Sequence, residues 1–396
     1  MRILYLHQFF ITRDGVGATR SYEFARRFVA RGHEVRMVTA GEGRRTVEGI
    51  EVVGVSGAYS DYMTATARSY PRRIVAFARF ALGAAAAALR GPRPDVIYAT
   101  SPPLTLALPA TLASLRWRVP FVFEVRDLWP EAPIQMGALR SPPLQGLARA
   151  LERLAYRRAA ALIALSPGIR DGVLAAGAPL RAVELVPNAA DLELFSPRRD
   201  GRELRERLGL GERFVVSYFG AMGEANDLTQ VVEAARLLDG AEVVFVLLGG
   251  GKRRRELEQL AQRSGADNVV FRDPVPDKES VARLAAASDA CLTIFKDLPV
   301  LATNSPNKLF DTLAAGRPAI VNTPGWMREL VERNEAGLFA RPGDARDLAD
   351  KVELLRRDPE LKRRLGDNAR ALAEREFGRD MLAERALAVL ERAASR

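Results

Sequence analysis

The sequence contains almost no cysteine or histidine. Its 396 residues include one cysteine, Cys291, and two histidines, His7 and His33. A single cysteine excludes an internal disulfide and a metal site built from several cysteines. Two histidines are too few for the usual histidine-based zinc sites. We therefore expect neither a disulfide-stapled fold nor a metal at the functional site.

A long apolar run is also missing. The longest candidate, residues 74–89, is interrupted by Arg79 and is too short to cross a bilayer. At the start of the chain, Met1–Leu6 lead directly into a strand pattern and show none of the three parts of an export signal. These features predict a cytoplasmic protein.

Negative charge is in deficit. The chain has 59 lysines and arginines against 49 aspartates and glutamates, which gives a net charge of +10. Such an excess suits nucleic acid, a membrane surface or a phosphorylated substrate. No stripe of basic residues with interleaved aromatics marks a nucleic-acid module, so we expect no nucleic-acid partner. The length predicts two domains, and an apolar fraction of 48% predicts a globular chain.

Strand patterns alternate with helix patterns in both halves of the chain. The strand patterns are apolar runs at 2–7, 33–39, 95–99, 120–125, 160–165, 213–219, 242–248, 268–271, 289–295 and 318–323. This alternation predicts an α/β fold with two doubly wound domains that face each other. We place the domains at 1–194 and 195–378, with a final helix at 379–396 that returns to the first domain.

The most informative stretch is residues 304–318. Ser305 and Pro306 predict a helix start, and the strand pattern before it places that start at the ligand-binding edge of a parallel sheet. The first amides, at Asn307 and Lys308, favour an anion, and Asp311 lies on the same helix face. A phosphate beside a diol describes the diphosphate and ribose of a nucleotide. An ordinary crossover helix with a surface lysine and aspartate is the alternative.

Three loops after strands have a similar character. Gly15 and Gly17 permit close backbone approach, and Arg20 follows one helical turn later. Residues 249–252 place three glycines and Lys252 at a strand end, although they do not form a P-loop. The rigid loop at 273–276 offers backbone groups to a base. Plain tight turns would explain the first loop equally well.

Two further segments have a functional and a structural interpretation. Arg126–Glu131 follows a strand and could orient sugar hydroxyls, or Arg126 and Asp127 could form a salt bridge at the sheet edge. Residues 68–89 have the pattern of a basic amphipathic helix, which suits an anionic membrane surface. A packed helix with its arginines in water is the alternative.

Together these residues resemble the retaining, family 4 type of GT-B glycosyltransferase. The resemblance covers nearly the whole chain and is closest to the branch that makes bacterial surface polysaccharide, including N-acetylfucosamine transferases of O-antigen synthesis. It is carried by the Gly15/Gly17 loop and by the segments 124–131, 186–191, 249–251, 274–276 and 305–316.

The resemblance implies two Rossmann-like domains facing across a cleft, and a metal-independent enzyme that needs no cofactor beyond its donor. It implies transfer of a sugar with retention from a nucleoside diphosphate, which we expect to be UDP. Because a cytoplasmic protein with a basic amphipathic helix could dock on the inner face of the membrane, we expect a polyprenyl-linked or saccharide acceptor. A nucleotide-sugar epimerase of the same fold and a catalytically weak binding subunit remain as alternatives.

The resemblance also implies roles for particular residues. Asp311 matches the second of two family glutamates and should hold the ribose, whereas Thr303 stands where the first would be, and residues 220–228 lack the family's basic pair. The catalytic candidates are Asp127, Arg126 and Lys308. The candidates for binding the nucleotide sugar are Gly15, Gly17, Arg20, Gly220, Gly250, Lys252, Val275, Asn307, Lys308, Leu309 and Asp311.

Overall fold

Two sheets organise the protein. The computed structural model describes residues 1–15, 17–56, 70–240, 242–275 and 277–395. The N-terminal domain carries an eight-stranded sheet in the order β3-β4-β2-β1-β5-β6-β7-β8. Its strands are β1 Arg2–Leu6, β2 Glu34–Ala40, β3 Arg44–Val47, β4 Ile50–Val55, β5 Val96–Thr100, β6 Phe121–Val125, β7 Ala161–Ala164 and β8 Val183–Leu185. All neighbouring strands are parallel except β3 and β4.

Helices cover both faces of this sheet. They are α1 Arg20–Ala30, α2 Tyr70–Arg90, α3 Ala107–Trp117, α4 Glu131–Gln135, α5 Pro142–Arg158 and α6 Pro167–Ala175. Because the sheet is covered on both sides, its central strands are buried along their whole length. The expected cap of α6 is present, since Ser166 Oγ accepts a hydrogen bond from the Ile169 amide.

The C-terminal domain has a six-stranded, fully parallel sheet in the order β11-β10-β9-β12-β13-β14. Its strands are β9 Phe214–Phe219, β10 Val243–Leu248, β11 Val269–Arg272, β12 Ala290–Thr293, β13 Ala319–Val321 and β14 Gly337–Phe339. The helices from here to the end of the chain are α7 Arg202–Arg207, α8 Leu228–Leu237, α9 Arg254–Ser264, α10 Lys278–Ala287, α11 Asn307–Ala314, α12 Trp326–Arg333, α13 Ala345–Arg357, α14 Pro359–Glu376 and α15 Arg379–Ala394. The two doubly wound domains predicted from the sequence are confirmed.

The last helix lies on the N-terminal domain. α15 packs against α1 and against strands β5, β6 and β7. Leu382 and Leu390 on α15 are fully buried, and Arg27 Nε of α1 donates to Asp380 at 2.5 Å. The chain thus returns to its first domain after completing the second. The exact domain boundaries at 194 and 378 stay predictions.

No helix among the described residues is long and apolar enough to cross a membrane. The predicted amphipathic helix corresponds to α2, although its first two predicted residues, Arg68 and Ser69, lie outside the described residues.

Candidate functional site

A pocket lies between the two domains, where the loop after β1 faces the carboxyl ends of the strands of the second sheet. Its volume is about 290 Å³, near the lower end of the range for small-molecule sites. Its walls are formed by Gly15, Gly17, Ala18, Phe219, Gly220, Ala221, Leu248, Gly249, Gly250, Pro274, Val275, Asp277, Lys278, Val281, Asn307, Lys308 and Asp311. Eight of the residues predicted from the sequence therefore line one pocket.

The glycines of the pocket allow its loops to approach closely. Gly17 has φ +138°, and a Cβ there would lie 2.5 Å from Ile11 Cδ1. Gly249 has φ +148°, and a Cβ there would lie 1.9 Å from the carbonyl oxygen of Gly220. Side chains at these positions would strain the backbone and force the loops apart. The backbone thus lines the pocket at the points that the sequence predicted.

Lys308 is a cation without a carboxylate partner among the described residues. Its Nζ donates to Tyr218 Oη at 2.7 Å and lies 3.5 Å from Asn226 Oδ1. Tyr218 Oη in turn donates to the Ala221 carbonyl at 2.6 Å. Burial lowers the pKa of Lys308 to about 7. An anion in the pocket would stabilise the charged form of this lysine.

The helix that carries Lys308 begins later than predicted. α11 starts at Asn307, and Ser305 does not cap it. Ser305 Oγ instead accepts from the Asn188 amide at 3.2 Å, and the Ser305 carbonyl accepts from Asn188 Nδ2 at 2.5 Å. Both contacts connect the domains. Ser305 therefore bonds to the segment after β8 and does not cap α11.

Two of the three amides at the start of α11 are free to bind a ligand. The amides of Asn307 and Lys308 have no acceptor among the described residues, as the sequence predicted. The amide of Leu309 donates to the Pro306 carbonyl at 3.1 Å, and its side chain is fully buried. Leu309 is therefore corrected from a binding candidate to a core residue.

Asp311 faces the pocket and is paired with a lysine that the sequence analysis did not identify. Lys278 Nζ lies 3.2 Å from Asp311 Oδ2. Burial raises the pKa of Asp311, and the Lys278 ammonium lowers it part of the way back. Lys278 is the first residue of α10, directly after Asp277, whose carboxylate caps that helix through the Ser280 amide at 2.7 Å.

Arg20 does not reach the pocket. Its guanidinium lies 2.9 Å from Glu124 Oε2 and donates to the carbonyls of Val186 and Pro187 at 3.0 and 2.6 Å. Glu124 also accepts from the Tyr98 hydroxyl. The predicted diphosphate contact is corrected: Arg20 joins α1, β6 and the segment after β8 inside the N-terminal domain.

Lys252 also lies outside the pocket. Its side chain is 70% exposed and its Nζ is 3.2 Å from Glu224 Oε1. Of the three glycines before it, Gly249 and Gly250 line the pocket. The predicted contribution of Lys252 to diphosphate binding is therefore not supported by its position.

Arg126 and Asp127 do not form the salt bridge considered above. Arg126 Nη1 lies 3.4 Å from His7 Nε2, and His7 Nδ1 lies 3.0 Å from Ser21 Oγ. Burial lowers the pKa of His7 well below its usual value, and the Arg126 charge adds to this effect. Neutral His7 thus fixes Arg126 at the carboxyl end of β6. Burial raises the pKa of Asp127, while Arg126 lowers it.

Thr303 faces the N-terminal domain. Its carbonyl accepts from Ser166 Oγ at 2.5 Å, and its Oγ1 donates to the Val300 carbonyl at 2.7 Å. A Cβ on Gly168 would lie 3.0 Å from Thr303 Cβ. The position that carries a glutamate in the resembling family therefore packs against the first domain, outside the pocket walls.

Tyr218, Asn226, Asp277 and Lys278 are polar residues of the site that the sequence analysis missed. Tyr218 and Asn226 are acceptors for Lys308, and neither belongs to a motif. Lys278 follows a Pro-rich loop and a helix cap, a pattern that gives no sign of Asp311, which is 33 residues away. Its position after a strand of the second sheet was the only available signal.

Two Rossmann-like domains with a pocket of backbone amides, half-buried lysines and two carboxylates between them are typical of the GT-B class. A model of the glycosyl transferase 4-like domain matches residues 15–189, and a model of the glycosyl transferases group 1 matches residues 200–372. The chain belongs to the glycosyltransferase family that combines these two domains.

Individual relatives agree with this classification. The chain is 27% identical over 233 residues to the alpha-D-kanosaminyltransferase of Streptomyces kanamyceticus, a match that covers 57% of this chain and 58% of that protein. The Anabaena protein Alr3699/HepE, solved in complex with UDP-glucose, has a TM-score of 0.77 and 20% identity over the full length of both chains. WaaG, a glycosyltransferase involved in lipopolysaccharide biosynthesis, has a TM-score of 0.73 and 17% identity, covering 98% of this chain and 99% of WaaG.

Proposed function

We propose that the protein is a glycosyltransferase that moves a sugar from a UDP-sugar to an acceptor hydroxyl with retention at the anomeric carbon. The single observation that carries this proposal is the position of Lys308, a half-buried lysine without a carboxylate partner among the described residues, beside two free helix amides in the interdomain pocket. The family assignment and the UDP-glucose complex of HepE support the reaction class and the nucleotide.

The donor would lie across the pocket with its parts held by different loops. The diphosphate would bind Lys308 Nζ and the amides of Asn307 and Lys308, because these are the free cation and the free donors of the site. The ribose hydroxyls would bind the Asp311 carboxylate in exchange for part of its contact with Lys278. The base would contact the backbone of Val275.

Departure of the nucleotide requires stabilisation of the charge that develops on its diphosphate. Lys308 and the first amides of α11 supply fixed positive charge and dipoles where that charge appears, so their contribution grows towards the transition state. We propose that this is sufficient without a metal ion. Gly17 would bring the loop of the N-terminal domain against the same phosphates.

Retention without a covalent intermediate is possible when the acceptor attacks the face from which the nucleotide leaves. The acceptor proton would pass to a phosphate oxygen of the departing diphosphate, while Lys308 holds that group in place. Arg126, fixed by His7, and Asp127 would orient the sugar or the acceptor. In this proposal, Arg126, Asp127 and their neighbours also decide whether the sugar is a hexose or an N-acetylhexosamine.

The acceptor would be a polyprenyl-linked or free saccharide of a surface polysaccharide, handled on the cytoplasmic side of the membrane. The role of WaaG in lipopolysaccharide biosynthesis and the basic helix α2 support this part of the proposal. Synthesis of O-antigen by an N-acetylfucosamine transferase is one specific form of it.

The experiment compares Lys308→Ala with the matched control Lys252→Ala in an assay of donor hydrolysis and sugar transfer over a panel of UDP-sugars and lipid-linked acceptors. We expect Lys308→Ala to lower turnover at least about a hundredfold and Lys252→Ala to leave it unchanged. Unchanged turnover in Lys308→Ala would remove the proposed role. Donor conversion to its epimer without acceptor would instead identify an epimerase, and binding without any turnover would identify a binding subunit.

A further inference from the structure

His7 is a buried polar residue that contacts two different parts of the N-terminal domain. It directly follows β1 and is 1% exposed. Its Nδ1 lies 3.0 Å from Ser21 Oγ of α1, and its Nε2 lies 3.4 Å from Arg126 Nη1 at the end of β6. A neutral imidazole carries one N–H, so only one of these two nitrogens can donate. The partners decide which nitrogen carries the proton.

The proton positions in this chain of hydrogen bonds are fixed at both ends. At one end, a guanidinium has donors only, so Arg126 must donate and His7 Nε2 must accept. At the other end, the Phe9 carbonyl accepts from Ser21 Oγ at 3.3 Å, which uses the one proton of that hydroxyl. Ser21 Oγ must then accept from His7 Nδ1. His7 is therefore neutral, with its proton on Nδ1.

The other protonation states of His7 do not fit these partners. A proton on Nε2 would face an N–H of Arg126 and leave two donors opposed across 3.4 Å. A doubly protonated imidazolium would add repulsion between two positive charges at the same contact. Burial and the Arg126 charge both lower the pKa of His7, which agrees with the neutral form.

The Ser21 hydroxyl also closes the loop that lines the interdomain pocket. Phe9 and Ser21 lie at the two ends of residues 9–21, here called the donor loop, and the pocket residues Gly15 and Gly17 lie between them. The hydroxyl that accepts from His7 is thus the one that joins the two ends of the donor loop. Because the other side of His7 holds an arginine of β6, the imidazole connects the donor loop to Arg126.

Arg126 has donors left after its bond to His7. Its guanidinium has no ion-pair partner and no second acceptor among the described residues, although Asp127 is its neighbour in sequence. The bond to His7 restricts the guanidinium, and its other N–H groups remain available to a substrate oxygen. Restriction of this kind affects a reaction strongly, because a misplacement by about 1 Å can lower a rate about a hundredfold.

We propose that His7 is a positioning residue of the transfer reaction: as the Nδ1–H tautomer it holds Arg126 and connects it to the donor loop. The imidazole itself does not touch the substrates. The effect on the reaction rests on the proposed function, whereas the tautomer and the contact with Arg126 do not. A purely structural role, in which His7 only fills space at the end of β1, is the alternative that the experiments separate.

The first experiment measures the imidazole nitrogen shifts of the full-length protein by NMR at pH 7. The chain has two histidines, so two imidazoles are observed. His33 is the internal control: its Nδ1 lies 3.2 Å from the Met1 ammonium and must accept, so its proton belongs on Nε2. We expect opposite tautomers for His7 and His33. Arg126→Met should move the His7 Nε2 shift, and the matched control Arg263→Met, at an exposed arginine of α9, should not.

The second experiment is a double-mutant cycle on sugar transfer. His7→Leu keeps most of the side-chain bulk and removes both hydrogen bonds. We expect kcat to fall at least about tenfold, with a smaller change in the dissociation constant of UDP-glucose. In the Arg126→Met background the same change should have no further effect, because the residue that His7 positions is gone. His7→Gln offers an amide oxygen to Arg126 and should recover part of the loss.

An equal loss from His7→Leu with and without Arg126 would show a structural role and overturn the proposal. So would a His7 proton on Nε2, or a His7 Nε2 shift that Arg126→Met leaves unchanged. A thermal transition like that of the wild type shows that a variant is folded. Absence of transfer in the wild type would remove the proposed function and the reaction part of this proposal, while NMR would still decide the tautomer and the contact.

Discussion

The environment of Lys308 differs from those of Arg20 and Lys278. Arg20 faces the carboxylate of Glu124, and Lys278 faces that of Asp311. Lys308 faces a hydroxyl and an amide oxygen, which stabilise an ammonium less than a carboxylate does. The missing negative charge makes this lysine responsive to the ligand that supplies it.

The affinity for a UDP-sugar should therefore depend on pH. In the free protein the pKa of Lys308 is about 7, and a bound diphosphate raises it. Below pH 7 the lysine of the free protein is already charged, so Lys308 does not make the affinity depend on pH there. Between pH 7 and the higher pKa of the complex, binding must take up a proton, and the affinity should fall by up to about tenfold per pH unit.

Calorimetry with UDP-glucose between pH 6 and 9 measures this dependence, because its diphosphate is doubly esterified and keeps its charge over that range. Lys308→Met is the control: it should bind more weakly but with a level profile. Burial raises the pKa of Tyr218 far above this range, so its hydroxyl does not contribute. A level profile in the wild type would exclude Lys308 as the titrating group.

How far single residues could be predicted depended on how they act. Gly17, Gly220 and Gly250 line the pocket through their backbone, and loop position after a strand was enough to find them. Arg20 and Lys252 were assigned by charge and proximity in sequence, but their charges are engaged by Glu124 and Glu224. A sequence alone does not reveal which carboxylate a long side chain will meet.

Arg20 of α1 bonds to Glu124 of β6 and to two carbonyls of the segment after β8. We expect these bonds between three elements to contribute strongly to stability. Arg20→Met would leave the buried Glu124 carboxylate without its guanidinium partner, and the Tyr98 hydroxyl would be its one remaining side-chain donor among the described residues. We expect a loss of about 3 to 5 kcal/mol in the free energy of unfolding, measured by denaturant titration.

The double variant Arg20→Met/Glu124→Gln separates a structural role from a binding role. It removes both charges and keeps an acceptor for Tyr98, so much of the lost stability should return. Its affinity for UDP-glucose should equal that of the wild type, since Arg20 lies outside the pocket walls. Weakened binding in this folded variant would show that Arg20 acts on the nucleotide after all.

At the level of elements, apolar runs and their spacing determined what could be predicted. Strands β6 and β10 are buried at every position. They are recognisable in the sequence because a strand covered on both faces is a nearly continuous apolar run. The antiparallel strand β3, Arg44–Val47, is exposed at the sheet edge and has no such signal. The predicted start of α11 was wrong because the Ser305 hydroxyl accepts a hydrogen bond from the amide of Asn188, which is 117 residues away in the sequence.

The two domains are connected by more than the segment between them. Asn188 bonds to Ser305, Ser166 bonds to Thr303, and the Val300 amide donates to Gln135 Oε1 at 3.0 Å. Helix α15 adds a further connection, because it follows α14 of the second domain in the chain and packs on the first domain. The pocket lies between these connections, so its shape depends on how both domains are held.

This arrangement predicts that the two domains unfold together. Leu390 on α15 is fully buried against the N-terminal domain, and Leu390→Asp would place a charge in that contact. Calorimetry should show one thermal transition for the wild type and two for this variant. UDP-glucose should raise mainly the transition temperature of the C-terminal domain, because most pocket residues belong to it.

The exposed position Leu354 provides the control, and Leu354→Asp should keep the single transition. Two transitions already present in the wild type would show that α15 does not couple the domains.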